Sequence, residues 1–202
     1  MKTLSWKSRA ATATVCFATA LGAAQLPAHA LDAAAVAPQT GNGTSLVLNG
    51  TGVRRSTATY LYTANLYLEQ KTANPAEVLQ NKGTKHFRMV MLHEASAAQM
   101  ADLLTEGLVA NASEDDLVTM VSEIFDVGVL LSEQGKLSAG DSFEIDSHPA
   151  TGTTLMIRSS AHSTPITQTF ANPRMFKVMM GIWLGEHPAD PRLKSALLGQ
   201  PI

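Results

Sequence analysis

The chain has 202 residues, 45% of them apolar, with Lys+Arg 15 against Asp+Glu 17 and a formal net charge of −2. Such a balance argues against a polyanion-binding surface, and a single cysteine, Cys16, leaves no pair of thiols for a disulfide or a thiolate metal site. The length suits one domain with a well-buried core.

At the N-terminus, Lys2, Lys7 and Arg9 lead into a small apolar stretch over residues 10–26, and Ala28-His29-Ala30 forms an A-x-A cleavage signal. These features predict a cleavable signal peptide over 1–30, a cut after Ala30 and a secreted or periplasmic location. The stretch is rich in Ala and Thr, too weakly apolar for a retained span of about 20 residues, so no stable membrane insertion is expected after cleavage. Cleavage takes three bases and no acids, leaving 12 against 17, a net charge of −5 and no cysteine. Residues 31–43 read as a flexible lead-in, and 44–200 as a single domain.

Residues 48–69 hold the densest pattern, L-N-G-T-G-V-R-R-S-T-A-T-Y-L-Y-T-A-N-L-Y-L-E. Gly50 and Gly52 predict a tight reversal carrying Arg54 and Arg55. From Thr57 a long strand alternates, with Tyr60, Tyr62, Ala64 and Leu66 on one face and Thr59, Leu61, Thr63 and Asn65 on the other. Asn74-Pro75 then opens a short helix to Gln80. Residues 86–92 form a strand, and Ser96 caps a helix to about Asn111 with Met100, Leu103, Leu104, Gly107 and Leu108 inward. Ser113 and Asp116 open a further helix, 114 to about 125, with Leu117, Val121, Ile124 and Phe125 inward. Residues 126–131 continue it after a bend at Gly128 in one reading.

Beyond a turn at 136–140, strands are expected at 142–147, 153–159 and 166–170. A helix capped by Asn172 follows over 173–184, and a last one begins at Pro191 and stops at Gly199. The order of strands, central helices, strands and terminal helices defines an α+β fold, an antiparallel sheet with helices packed on one face.

No elbow, phosphate loop or dinucleotide motif occurs. His93-Glu94 begins a zincin pattern, but Ala97 stands where the second histidine would be, so no metal site and no cofactor are expected. Glu114, Asp115 and Asp116 complement a helix N-terminus. The methionines fit core positions or the adaptable wall of an apolar site.

G-V-R at 52–54, the strand end L-Y-L-E at 66–69, I-W-L-G at 182–185, Pro188 and L-K-S-A-L-L-G at 193–199 together resemble the chalcone isomerase-like family, in its bacterial secreted branch. The resemblance covers residues 45–199 and implies an open-faced β-sandwich with a ligand site between the long strand and the central helices. It identifies Arg54, and not Arg55, with the arginine that meets the ligand's carbonyl, enolate or carboxylate oxygen; without the resemblance, a solvated arginine in the turn is the favoured reading of both. Plant members close a flavonoid ring by attack of a phenolate on an enone, using also a strand threonine, a helix tyrosine and asparagine, and a late Ser/Thr.

Counted without gaps, those four positions fall here on Tyr62, Met100, Gly107 and Phe176, with Thr63 in place of Tyr62 after a one-residue shift. Met100, Gly107 and Phe176 offer a reacting phenolate no proton or amide, which argues against flavonoid cyclisation. The expectation is a non-catalytic binder of a small amphipathic or anionic hydrophobic molecule. Arg54 and Tyr62 would hold its polar end, with Met100, Leu104 and Phe176 as an apolar wall. The alternatives are an isomerase or intramolecular lyase acting on an enone through Arg54 and Tyr62, and an envelope scaffold with a filled core. Nucleic acid is not an expected partner, and oligomeric state stays open.

Overall fold

The computed structural model describes residues 44–56, 59–80 and 82–201, so the proposed signal peptide and lead-in, like Thr57 and Ala58, lie outside the described residues. Six strands form one antiparallel sheet in the order β1 (Val47–Arg55), β2 (Tyr60–Leu68), β3 (Lys85–Met91), β6 (Ser142–His148), β7 (Gly152–Arg158) and β8 (Ile166–Phe170). A two-residue pair, β4 (Ala95–Ser96) with β5 (Lys136–Leu137), stands apart where the sequence suggested only a turn. The helices are α1 (Pro75–Leu79), α2 (Ala97–Asn111), α3 (Glu114–Thr119), α4 (Val121–Ser132), α5 (Met175–Leu184) and α6 (Pro191–Leu197). The α+β class with helices packed on the sheet is as expected.

One sheet face is the core. Register places Tyr62, Ala64 and Leu66 beside Met91, Met89 and Phe87, then Phe143 and Ile145 of β6, then Ile157 and Leu155 of β7, all buried. The opposite face is polar and pairs across strands, although Arg88 Nε is buried without a hydrogen-bond partner. Thr51 donates to Asn65 at 2.6 Å, His86 meets Asp146 at 2.7 Å, and Glu144 lies 3.4 Å from Arg88 and 3.3 Å from Arg158.

Helix α5 is buried along almost its whole length, so it is apolar on every side, as a core helix must be. It crosses α2 at Gly107, where an added Cβ would stand 2.6 Å from Ile182 Cγ2; no other side chain allows that approach.

Three expectations change. Gly50 and Gly52 lie inside β1, not in a turn, and neither has a positive φ. They are small because α6 rests on them: a Cβ on Gly50 would enter the Ala196 and Leu197 carbonyls, and one on Gly52 would stand 2.7 Å from Ala196 Cβ. The two arginines accordingly end a strand, and the reversal falls afterwards, where Ser56 N–H donates to the Thr59 carbonyl at 2.8 Å.

The acidic helix breaks at Met120 (φ −109°, ψ 19°), and α4 then runs through Gly128 without interruption. That break resets the helical phase, so Val127, Leu130 and Leu131 face the core while Val121 and Phe125 stand 66% and 69% exposed. Helix α5 starts at Met175 rather than Pro173. Asn172 still organises its start, accepting Arg174 N–H on Oδ1 at 3.0 Å and Met175 N–H on its carbonyl at 3.1 Å.

Candidate functional site

A cavity of about 240 Å³ opens between the core face of the sheet and helices α2 and α5. Its sheet wall carries Arg54, Tyr62, Met89 and Phe143, its helix wall Met100, Leu103, Leu104 and Gly107 of α2 with Met179, Ile182 and Trp183 of α5, and Leu131 of α4 closes one side. Glu106 and His187, both exposed, stand at the rim.

Arg54 and Tyr62 are register partners on β1 and β2, so their side chains emerge side by side on the core face. The Tyr62 hydroxyl accepts a hydrogen bond from Trp183 Nε1 at 2.9 Å, which leaves its own proton available to a ligand. Burial pushes the phenol above its usual pKa, against the opposing pull of the Trp183 hydrogen bond and the Arg54 charge. Tyr62 is therefore a neutral donor at physiological pH, not a base.

The Arg54 guanidinium carries the sharpest signal. Nε and Nη1 are buried and have no hydrogen-bond partner. Buried donors are almost always paired, because an unpaired one forfeits its hydration without compensation, and a cation forfeits most. A carboxylate suits such donors, because a charge-assisted hydrogen bond to an anion satisfies the nitrogen and its charge together.

Arg55, the next residue, points elsewhere. It is exposed, with its guanidinium 5.0 Å from the Tyr60 ring centre, and its N–H donates to Asp190 Oδ2 at 3.3 Å. One step along the strand thus separates a cavity arginine from a surface one.

The rim is held by Asn111, the last residue of α2. Its side-chain nitrogen donates to the carbonyls of Gly107 at 2.9 Å and His187 at 2.8 Å, and its oxygen accepts His187 N–H at 2.9 Å. This clasp fixes the 185–190 loop, which brings His187 and Ala189 to the cavity and Asp190 to the start of α6.

Of the residues singled out in the sequence, Arg54, Tyr62, Met100 and Leu104 meet around the cavity, and Phe176 does not. Phe176 lies in the core with Lys85 Nζ 5.1 Å from its ring centre. The correction is one helical turn, since Met179, Ile182 and Trp183 are the α5 residues facing the cavity. Thr63 points to the opposite sheet face, so the ungapped count that selected Tyr62 marks the cavity position. Gly107 lines the cavity and doubles as the α2–α5 crossing point. No local signal in the sequence marks Trp183 as a site residue; a buried indole needs an acceptor, and the Tyr62 hydroxyl of a distant strand supplies it.

Among the described residues no cluster of His, Cys, Asp and Glu is placed to hold a metal, and no helix is long and apolar enough to cross a membrane.

Fold and site together define an open-faced α+β sandwich with an apolar cavity and a half-buried arginine whose Nε and Nη1 have no partner. A family model described as chalcone isomerase-like matches residues 30–199, and the chain belongs to that family. Among solved structures it is similar to a fatty-acid binding protein of Arabidopsis thaliana. The two share 12% sequence identity over 80% of this chain and 90% of that one, at a TM-score of 0.55, a likeness of fold. No curated protein matches the sequence significantly.

Proposed function

We propose that this protein is a secreted or periplasmic, non-catalytic binder of a small amphipathic molecule with an apolar body and a carboxylate end. The observation that carries the reading is the pair of buried, unpartnered Arg54 nitrogens on the wall of an otherwise apolar cavity. An anion seated there would give the guanidinium a hydrogen-bond partner that the fold does not supply and would neutralise its charge, while Tyr62 donates to a second oxygen. The fatty-acid binding named for the structural relative supports the same ligand chemistry. The N-terminal signal features and the start of the family match at residue 30, next to the expected cut, support export.

The test is mass spectrometry of ligand released from protein purified without delipidation, followed by titration with the identified compound into wild type and Arg54→Ala. An empty protein together with indistinguishable isotherms rejects the reading.

One observation favours a second reading. The Tyr62 phenol is held protonated next to Arg54, as a general acid beside an oxyanion stabiliser would be. An isomerase or intramolecular lyase of enones would then turn over a chalcone panel and lose that activity in Tyr62→Phe; no turnover across the panel eliminates it.

A further inference from the structure

Resting on the binding reading above, we propose that the cavity selects medium-chain monocarboxylates, with about six to eight carbons beside the two carboxylate oxygens, over the long-chain acids. A space of about 240 Å³, at about 30 Å³ for each water-sized heavy atom, takes about eight such atoms, or about ten at the closer packing of an interior. Two boundaries make that volume a limit.

The inner boundary is the core itself. Met89, Leu131 and Phe143 are exposed by only 1%, 4% and 4%, and all three belong to the main apolar cluster. A longer chain would have to displace packed side chains there, which close-packed interiors resist. The outer boundary is polar. Methylenes leaving past Glu106 and His187 would meet exposed, hydrated groups and gain no burial. The carboxylate of Glu106 also opposes a second negative end, which disfavours dicarboxylates.

Chain length is fixed only if the head is fixed, and Arg54 with Tyr62 provides that anchor at one wall. Each methylene added inside the cavity should therefore tighten Kd by about three- to fourfold, until the space is filled.

The experiment is isothermal titration of the full chain with a series of straight-chain carboxylates from six to sixteen carbons, alongside the matching dicarboxylates. Replacing Trp6 by Phe leaves Trp183 as the sole indole, so its fluorescence gives an independent reading from within the cavity wall. The expected result is stepwise tightening up to about eight carbons and a plateau or loss beyond. Leu104→Phe, which fills space at a half-buried position, should move the optimum to shorter chains, and Leu131→Ala should move it to longer ones.

Tightening that continues unchanged through sixteen carbons, or an optimum that neither variant moves, overturns the size selection while leaving carboxylate binding intact. Failure of every acid to bind rejects the binding reading itself.

Discussion

Two cations sit near opposite ends of the same sheet face, and their environments differ in one respect. Arg54 stands beside Tyr62 and Lys85 beside Leu68, so β2 links them. Lys85 is 3% exposed, yet its ammonium donates to the carbonyls of Lys82 at 2.6 Å and Gly83 at 3.3 Å and lies over the Phe176 ring. Arg54 has Nε and Nη1 buried with nothing to donate to. The lysine is answered from within the fold and serves as a brace for the 82–83 loop. The arginine is left unanswered by the fold, which is the pattern expected of a group whose partner arrives from outside.

The largest test of this contrast is Arg54→Ala. It should weaken carboxylate binding by about 2–3 kcal/mol, or roughly 30- to 150-fold, as loss of a charge-assisted pair does. Calorimetric titration measures it, and Lys85→Ala should leave the same isotherm unchanged.

Stability should show the reverse. Lys85→Ala removes the donors to two loop carbonyls and should lower unfolding free energy by about 1–3 kcal/mol in urea denaturation. Arg54→Met, in ligand-free protein, should be neutral or stabilising because it removes two buried donors that have no partner. A strongly destabilised Arg54→Met would show that the arginine braces the fold as the lysine does.

Tyr62→Phe should cost about 1 kcal/mol in both measurements, since a ligand oxygen loses a donor and the Trp183 N–H loses its acceptor. Equal binding by the phenylalanine variant would remove Tyr62 from the site.

The smallest effect is a pH dependence. Burial lowers the Lys85 pKa to about 8 from 10.5, an effect the Glu69 charge only partly opposes. Between those values the unfolded chain holds more protons than the folded one, so this residue makes stability rise as pH goes from about 8 towards 10.5. Above pH 10 the phenols of Tyr62 and Tyr67, both raised by burial, act in the opposite sense, because the unfolded chain ionises first. The rise should be on the order of 1 kcal/mol by pH 10 and should vanish in Lys85→Met. A wild type and variant with parallel profiles would refute the assignment.

The order of elements was readable in the sequence because each rests on a local signal: Ser96 and Ser113 cap their helices, Pro75 and Pro191 begin theirs, and β6 alternates polar and apolar residues from Ser142 to Asp146. Arg54 and Tyr62 were readable because strand periodicity and family motifs coincide on one short stretch. What was not readable depends on distant contacts. Gly50 and Gly52 look like turn residues until α6 is seen resting on them. Phe176 is as apolar as Met179, and only the seating of α5 on the sheet shows which of them meets the cavity. The break at Met120 carries no glycine or proline to announce it, so the phase of Val121 and Phe125 was misjudged.

The contact between β1 and α6 also bears on when the chain can fold. Asn49 donates its side-chain amide to the Leu197 carbonyl at 2.7 Å, across 148 positions of sequence. The glycine groove beside it is covered by α6, whose Leu193, Ala196 and Leu197 lie against Gly50 and Gly52. Contacts of such wide separation must overcome loop-closure entropy before they contribute anything, and they slow folding. A chain lacking residues 191–197 would leave that strand's groove open, so completion of the native state must wait until that helix is available to dock. A chain shortened at Asp190 should accordingly lose cooperative unfolding altogether.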